Sequence, residues 1–339
     1  MQKASLAMKV TVVIPYYQRE AGLLKRAVAS IIAQSLSEQW LVEIIVVDDG
    51  SPSPARDERF DALPDQISIR IVEQENGGVG AARNAGISAA DPATAYLAFL
   101  DSDDEWGPSH LQSAVAQLDA GADFYFDNNI IDEGRDAFSY SAYMQVKHGK
   151  LDLDRPFVGI MDGQEGFEAI LHECLPHTSQ VVYNFQRHSA VRFETHMRRA
   201  GEDQIFWLTL AHQSHRIAYS TAVNGSRGIG ISIYRESLAW DSPNGLSRVA
   251  DEILMRTTIR RKFDLTAGQK RLLQQDAQRV CDHFAFLAVR NARKQPRQLS
   301  EALSRLTRES PGFWLMVPAS LLRLPAYVRK LRREAELQQ

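Results

Sequence analysis

Residues 96–106, YLAFLDSDDEW, decide how the rest of the chain is read. An apolar run from Tyr96 to Leu100 stops at Asp101, and Asp103, Asp104 and Glu105 follow almost at once. Carboxylates this close repel one another. A solvated acidic turn would tolerate them; a bound cation would reward them. The residues ahead of the acids suit a strand buried on both faces of a sheet.

The same pattern recurs upstream. KVTVVIPYY (9–17) and VEIIVVDDGS (42–51) are continuous β-branched runs, and the second also ends in acids. ISIRIVEQ (67–74) and ADFYFDNN (122–129) complete a set of five strands. Between them LLKRAVASIIAQS (23–35), GGVGAARNAGISAA (77–90) and SHLQSAVAQLDAG (109–121) have helical character, with Gly121 placed as a C-terminal stop. Strand–helix alternation implies an α/β fold with a mixed, mostly parallel sheet and flanking helices. Ligands of such sheets bind beyond the carboxyl ends of the strands. The segments YY, DDGS and DSDD each lie at one of those ends, so three polar clusters converge on one crevice.

Downstream, TSQVVYNF (178–185) and HRIAYSTAV (215–223) read as strands, and GEDQIFWLTLAHQ (201–213) as an apolar helix that begins with acids. NGSRGIGISIYRES (224–237) reads as a glycine-rich, mobile loop. The rest is helical and basic. The expected organisation is one domain over 1–240, in two halves that divide at about 127/128, and a helical region over 241–339.

Bulk properties exclude several classes. A chain of 339 residues with net charge −3 has no general affinity for nucleic acid. Two cysteines, Cys174 and Cys281, make no disulfide framework and suit a reducing cytoplasm. No apolar stretch reaches the ~20 residues that span a bilayer. The N-terminal run stops at Pro15 and reads as a first strand rather than a signal peptide.

Each motif has a functional and a bland meaning. Asp101 and Asp103 suit a hard cation such as Mg²⁺ or Mn²⁺, which takes one or two carboxylates plus substrate phosphates; an acidic turn is the bland alternative. Asp48 and Asp49 could accept hydrogen bonds from ribose or a base N–H, or serve as ordinary turn residues. Gly78-x-Gly80-x-x-Arg83 is a poor dinucleotide fingerprint, because arginine replaces the third glycine and the motif follows the third strand. Its glycines suit a close backbone approach, and Arg83 suits either a crevice carboxylate or a diphosphate. Asp203 could be a general base or an acid that complements a helix dipole.

Together VTVVIPYYQRE (10–20), IIVVDDGS (44–51), NGGVGAARNAGI (76–87), YLAFLDSDDEW and GEDQIFWLTL (201–210) resemble the family 2 glycosyltransferases of GT-A fold, in the expected order. The likeness is strongest to bacterial exopolysaccharide glucosyltransferases of the succinoglycan-assembly type. The resemblance implies a UDP-sugar donor, with UDP-glucose favoured, inversion at the anomeric carbon, and a saccharide or lipid-linked oligosaccharide acceptor. It implies that Pro15 and Tyr16 edge the nucleotide pocket and that Asp49 contacts uracil or ribose. It also implies that Asp101 and Asp103 hold Mn²⁺ or Mg²⁺, that Asp203 is the catalytic base, that Glu202 shapes its surroundings, and that a donor half runs to about 127 and an acceptor half from 128 to 240. Arg227 or Arg235 would serve the diphosphate. The Q-x-x-R-W motif of processive synthases is missing, which favours one hexose per encounter. The rival readings are a silent sugar-nucleotide or glycan-binding protein and a sugar nucleotidyltransferase. The tail SPGFWLMVPASLLRLPAYVRKLRREAELQQ (310–339) suits either a helix packed on the core or a peripheral segment on the inner face of the cytoplasmic membrane, with Pro318 and Pro325 breaking any single long helix.

Overall fold

The computed structural model describes residues 8–132, 134–228 and 236–336. The described residues up to Thr195, with Asp203–Gly228, form one compact unit; His196–Glu202 and the residues from Glu236 onward form the other.

The first unit is built on a sheet whose core strands are β1 (Met8–Tyr16), β2 (Trp40–Asp48), β3 (Ile67–Glu73), β4 (Tyr96–Phe99), β6 (Phe124–Asp132), β9 (Val181–Asn184) and β10 (Ile217–Ser226). Its order is β3-β2-β1-β4-β9-β6-β10, with the short β5 (Glu105–Trp106) on the far edge of β10. The strands β3, β2, β1 and β4 run parallel, β9 lies antiparallel between β4 and β6, and β10 is again parallel to β6. The apolar runs of β1 and β2 are buried on both faces, as their lack of alternation predicts. Helices α1 (Leu23–Ile32), α2 (Val79–Ala89) and α3 (His110–Asp119) follow strands β1, β3 and the acidic turn. Helix α2 lies close on β1 through Gly86, where an added Cβ would come within 2.3 Å of Val13 Cγ1.

The middle of the chain is more regular than its composition suggests. It adds β7 (Arg135–Asp136), α4 (Ala142–His148), β8 (Val158–Met161), α5 (Gly163–Glu173) and the short α6 (Phe185–His188). Strand β8 pairs antiparallel with β10 through Gly159, which leaves room for the Tyr219 ring. Helix α7 (Glu202–Gln213) carries the GED motif at its start.

The second unit consists of α8 (Gly245–Lys262), α9 (Ala267–Asn291), α10 (Pro296–Glu309) and α11 (Phe313–Glu336), packed around Val249, Ile253, Phe284, Leu287, Leu306 and Phe313. Thr266 and Gln269 cap α9 reciprocally, and Pro296 opens α10, where its missing N–H costs nothing. The fully buried Asp251 accepts the amides of Arg198 (3.1 Å) and Arg199 (2.8 Å) and pairs with Arg305. Gly201, with φ +92, packs against Met255. Helix α11 corrects the expectation of a broken tail: Pro318 and Pro325 sit inside one continuous helix. Packing of its inner face outweighs two lost backbone hydrogen bonds.

Replacing Gly86 by alanine should cost about 2 kcal/mol, because the new methyl meets a fully packed strand. Urea unfolding of the variant beside wild type measures it; an unchanged midpoint would show that α2 shifts freely.

Candidate active site

The carboxyl ends of β1, β2 and β4 converge as expected, and hydrogen bonds bind their exits into one platform. Tyr16 lies opposite Asp48 in the ladder, and the Leu100 amide donates to the Val13 carbonyl at 3.1 Å. Asp49 donates its amide to the Tyr16 carbonyl (2.9 Å), Gln18 its amide to Ser51 Oγ (2.7 Å), and Gln18 Nε2 to Ser102 Oγ (3.0 Å). Backbone that leaves a sheet must find such partners or remain unsatisfied.

The DDGS acids are turned toward the chain. Asp48 accepts the amides of Ser51 and Ala55, each at 2.8 Å, and so shapes the turn after β2. Asp49 accepts Gln74 Nε2 (2.7 Å) and the amides of Gly77 (2.7 Å) and Gly78 (2.8 Å). It therefore ties the glycine pair to the end of β2, and its side chain is buried. Tyr16 is also interior: its ring is fully buried and its hydroxyl donates to Glu58 at 3.2 Å. Burial first, then the Glu58 charge, pushes its pKa up to about 12. The Tyr16 side chain is thus turned into the interior, while Tyr17 beside it is half-buried. Pro15 is buried within β1.

The DSDD turn separates its acids by orientation. Asp104 is buried and faces inward: Oδ2 accepts Ser179 Oγ–H at 2.6 Å and Oδ1 accepts the Gly228 amide at 2.8 Å. Burial, then the charges of Asp101 and Asp103, pushes its carboxyl up to about 7. Asp101 keeps 29% of its side chain exposed, and Asp103 is half-buried. Arg83, only 4% exposed, donates to Asp101 Oδ1 at 2.8 Å, and its guanidinium lies 5.3 Å from the Phe193 ring centre. Of the two partners that suit Arg83, the structure shows the carboxylate. Burial raises the Asp101 carboxyl, but the Arg83 charge and hydrogen bond, with His177 and Arg227, outweigh it and hold it below its ordinary value.

Asp203 belongs to the same electrostatic neighbourhood. It stands in the first turn of α7, where Oδ1 accepts the Gln204 amide at 2.7 Å. Burial lifts its pKa above the ordinary value; Arg83 and the Gln204 amide pull it down, and Asp101 adds to the rise. Asp101, Arg83 and Asp203 are thus grouped, and Asp103 follows Asp101 in the same turn. Glu202, just before, is buried.

Several residues here carry no sequence signal of their own. Ser179 accepts the Asp101 amide at 3.1 Å while donating to Asp104, and its carbonyl accepts Trp106 Nε1–H. His177 Nδ1 stands 3.8 Å from Asp104. Both precede β9, which runs antiparallel to β4, so the start of β9 lies beside the end of β4. An antiparallel insertion in the alternating pattern is the clue that would have found them. Of the glycine-rich stretch, residues 224–228 and 236–237 are described, and residues 229–235, with Tyr234 and Arg235, lie outside the described residues. Gly225 pairs with Trp106, and at Gly228 an added Cβ would fall 1.6 Å from the Asp103 carbonyl oxygen. Residues 225–228 therefore pack on the acidic turn, and Arg227 lends charge to Asp101.

The donor set fits a hard divalent cation. Asp101 and Asp103 offer oxygen only, and sites completed by substrate phosphates need no more than one or two carboxylates. Among the described residues no three His, Cys, Asp or Glu side chains are grouped to hold a metal ion by themselves.

Comparison with known proteins agrees with this geometry. The sequence profile of glycosyl transferase family 2 matches residues 11–175. The chain is similar to the succinoglycan biosynthesis protein ExoW of Rhizobium meliloti, with 34% identity over 251 residues, 71% of this chain and 75% of that protein. It is also similar to the succinoglycan biosynthesis protein ExoO of the same organism, with 40% identity over 120 residues, 35% of this chain and 32% of that one. Among solved structures, S. aureus TarS 1–349 in complex with UDP-GlcNAc superposes with a TM-score of 0.59 at 18% identity, covering 98% of this chain and 93% of that chain. A likeness at that identity speaks to the fold, which is GT-A.

Arg83→Met should destabilise the chain by about 2 kcal/mol, since it leaves Asp101 half-buried without its counter-charge. In a double-mutant cycle with Asp101→Asn, the coupling should be about 1 kcal/mol or more. Additive effects would mean that the pair contributes nothing beyond two independent side chains.

Proposed function

The chain belongs to glycosyl transferase family 2 and is a hexosyltransferase, and on that premise we propose that it moves a single hexose from a UDP-sugar to a growing glycan, with inversion, during exopolysaccharide assembly. The observation that supports this most is the grouping of Asp101 and Asp203 around the buried Arg83, with Asp103 two residues beyond Asp101 in the same acidic turn. The kinship with ExoW favours an exopolysaccharide product. We assign glucose as the sugar and a saccharide or lipid-linked oligosaccharide as the acceptor. Work on such an acceptor would place the enzyme in the cytoplasm, peripheral to the inner face of the cytoplasmic membrane. Among the described residues no helix is long and apolar enough to cross a membrane.

Residue roles follow from charge and position. In this reading Asp103 and Asp101 hold Mn²⁺ or Mg²⁺, and the cation supplies charge stabilisation for the departing diphosphate. Arg83 keeps Asp101 ionised and ready to bind. We assign the diphosphate contact to Arg227, and the reach of its charge to Asp101 supports that reading. Asp49 holds the Gly77–Gly78 backbone in the floor of the nucleoside pocket, and its remaining lone pairs are the contact assigned to uracil or ribose. Pro15 and the Tyr16 backbone form the rim, and Glu202 shapes the start of α7. Asp203 takes the proton of the acceptor hydroxyl as that oxygen attacks C1 from the face opposite UDP. A single displacement then inverts the centre without a covalent sugar–enzyme intermediate.

Calorimetric titration of UDP with and without Mn²⁺ tests the donor site. Wild type should bind in a metal-dependent manner, and Asp103→Ala should lose that dependence; no UDP binding under any condition would reject the assignment. Asp203→Asn should lower transfer about a thousandfold while leaving UDP affinity within about twofold. Surviving turnover would remove Asp203 from the role of base. The base works ionised and its pKa is raised by burial. Transfer should therefore fall as pH drops through a limb lying above the ordinary carboxylate range, near 3.9. A profile flat down to that range would show that Asp203 does not titrate in the rate-limiting step.

A further inference from the structure

Helix α11 is apolar on two faces. Its inner face is fixed on α9: Ser320 Oγ donates to Asp282 (2.6 Å), Arg323 forks onto the same carboxylate (3.0 Å for each nitrogen), and Tyr327 meets His283 Nδ1 (2.9 Å). Phe313 is buried there, with Leu324, Val328 and Leu331 packed beside it. These bonds set the rotation of the helix and leave the opposite face outside. Leu315 and Leu322 are each 85% exposed, Trp314 is 46% and Leu321 50%. Positions 314, 315, 321 and 322 repeat after seven residues, so they form one stripe about two turns long. The same face continues into Arg329, Lys330 and Arg333, all exposed. From Phe313 to Arg333 the sequence contains no acidic residue.

We propose that this face of α11 docks on an anionic lipid surface, with the tryptophan and leucine side chains entering the headgroup boundary and the basic turns lying on the phosphates. The inference rests on the peripheral location proposed above and not on the transfer chemistry. An apolar stripe flanked by cations is the pattern of helices that lie in an interface. The prolines fix the depth. Pro318 and Pro325 lack the N–H that would bond the Trp314 and Leu321 carbonyls, and both carbonyls belong to residues of the outward stripe. A carbonyl without a helical partner is hydrated at the headgroup level and costly in hydrocarbon. A second copy of the chain fits the face less well. A parallel helix pair would bring the basic ends together, and an antiparallel pair would set them against leucines.

Vesicle flotation tests the proposal with the full-length chain. Vesicles containing phosphatidylglycerol should carry wild type, and pure phosphatidylcholine vesicles should carry much less. Leu315→Ser with Leu322→Ser should lower the partition by about tenfold or more, because two leucines no longer insert. Arg329→Glu with Lys330→Glu should lower it by about fivefold for each charge removed and should abolish its salt sensitivity. Both variants change exposed side chains and should retain wild-type UDP binding, which separates failure of this surface from failure of the donor site. Wild type remaining unbound, or the leucine variant floating as well as wild type, would overturn the proposal. A solution dimer that dissociates on the leucine substitutions, without vesicle binding, would instead assign the face to a second copy.

Discussion

The Arg83 guanidinium is the charge on which the acidic cluster depends. At an effective dielectric of about 20, unit charges about 4 Å apart interact by about 4 kcal/mol. Asp101, Asp103, Asp104 and Asp203 could not share a neighbourhood without a counter-charge. Arg83 lies almost fully buried against the Phe193 ring, and it holds Asp101 ionised while drawing the Asp203 carboxyl back from the rise that burial imposes. Because it is a guanidinium, it stays charged whatever its burial. Helix α2 delivers it, and α2 can approach the sheet only because Gly86 has no side chain.

A second constraint is the direction of β9. An antiparallel strand between β4 and β6 brings the start of one segment to the exit of another, so Ser179 lies beside the DSDD turn. Its hydroxyl uses its single proton on Asp104 and its oxygen on the Asp101 amide. With the Gly228 amide, it turns one acid inward and leaves Asp101 and Asp103 toward solvent. The crowding in the sequence is thus resolved by splitting the carboxylates between inward and partly solvent-exposed positions.

What could be read from residues alone followed the strength of their pattern. The strands β1, β2 and β4 are continuous apolar runs ending in acids, and that combination places a crevice without coordinates. Asp101, Asp103 and Asp203 carried the motif of a known family. Tyr16 and Asp49 were harder, because a motif gives proximity to a pocket and not the direction of a side chain; one points to Glu58 and the other to the Gly77 and Gly78 amides. Ser179, His177 and Gly228 were illegible for a different reason. They reach the turn by strand pairing across long sequence separations, and no local periodicity encodes that. Helix α11 shows the limit of propensity rules, since tertiary packing carried the chain through two prolines.

The anchoring of residues 198–201 bears on how this enzyme can be taken apart. The amides of Arg198 and Arg199 end on Asp251, and Gly201 rests on Met255. The lead-in to the GED motif is therefore folded with the C-terminal helices, although it is encoded far upstream of them. Recombination at the apparent seam near residue 240 would separate residues 196–202 from the helices with which they fold. Chimeras and shortened versions of this chain need to exchange 196–202 together with the helical region, and the same coupled inheritance is expected to limit how freely natural relatives trade their C-terminal parts.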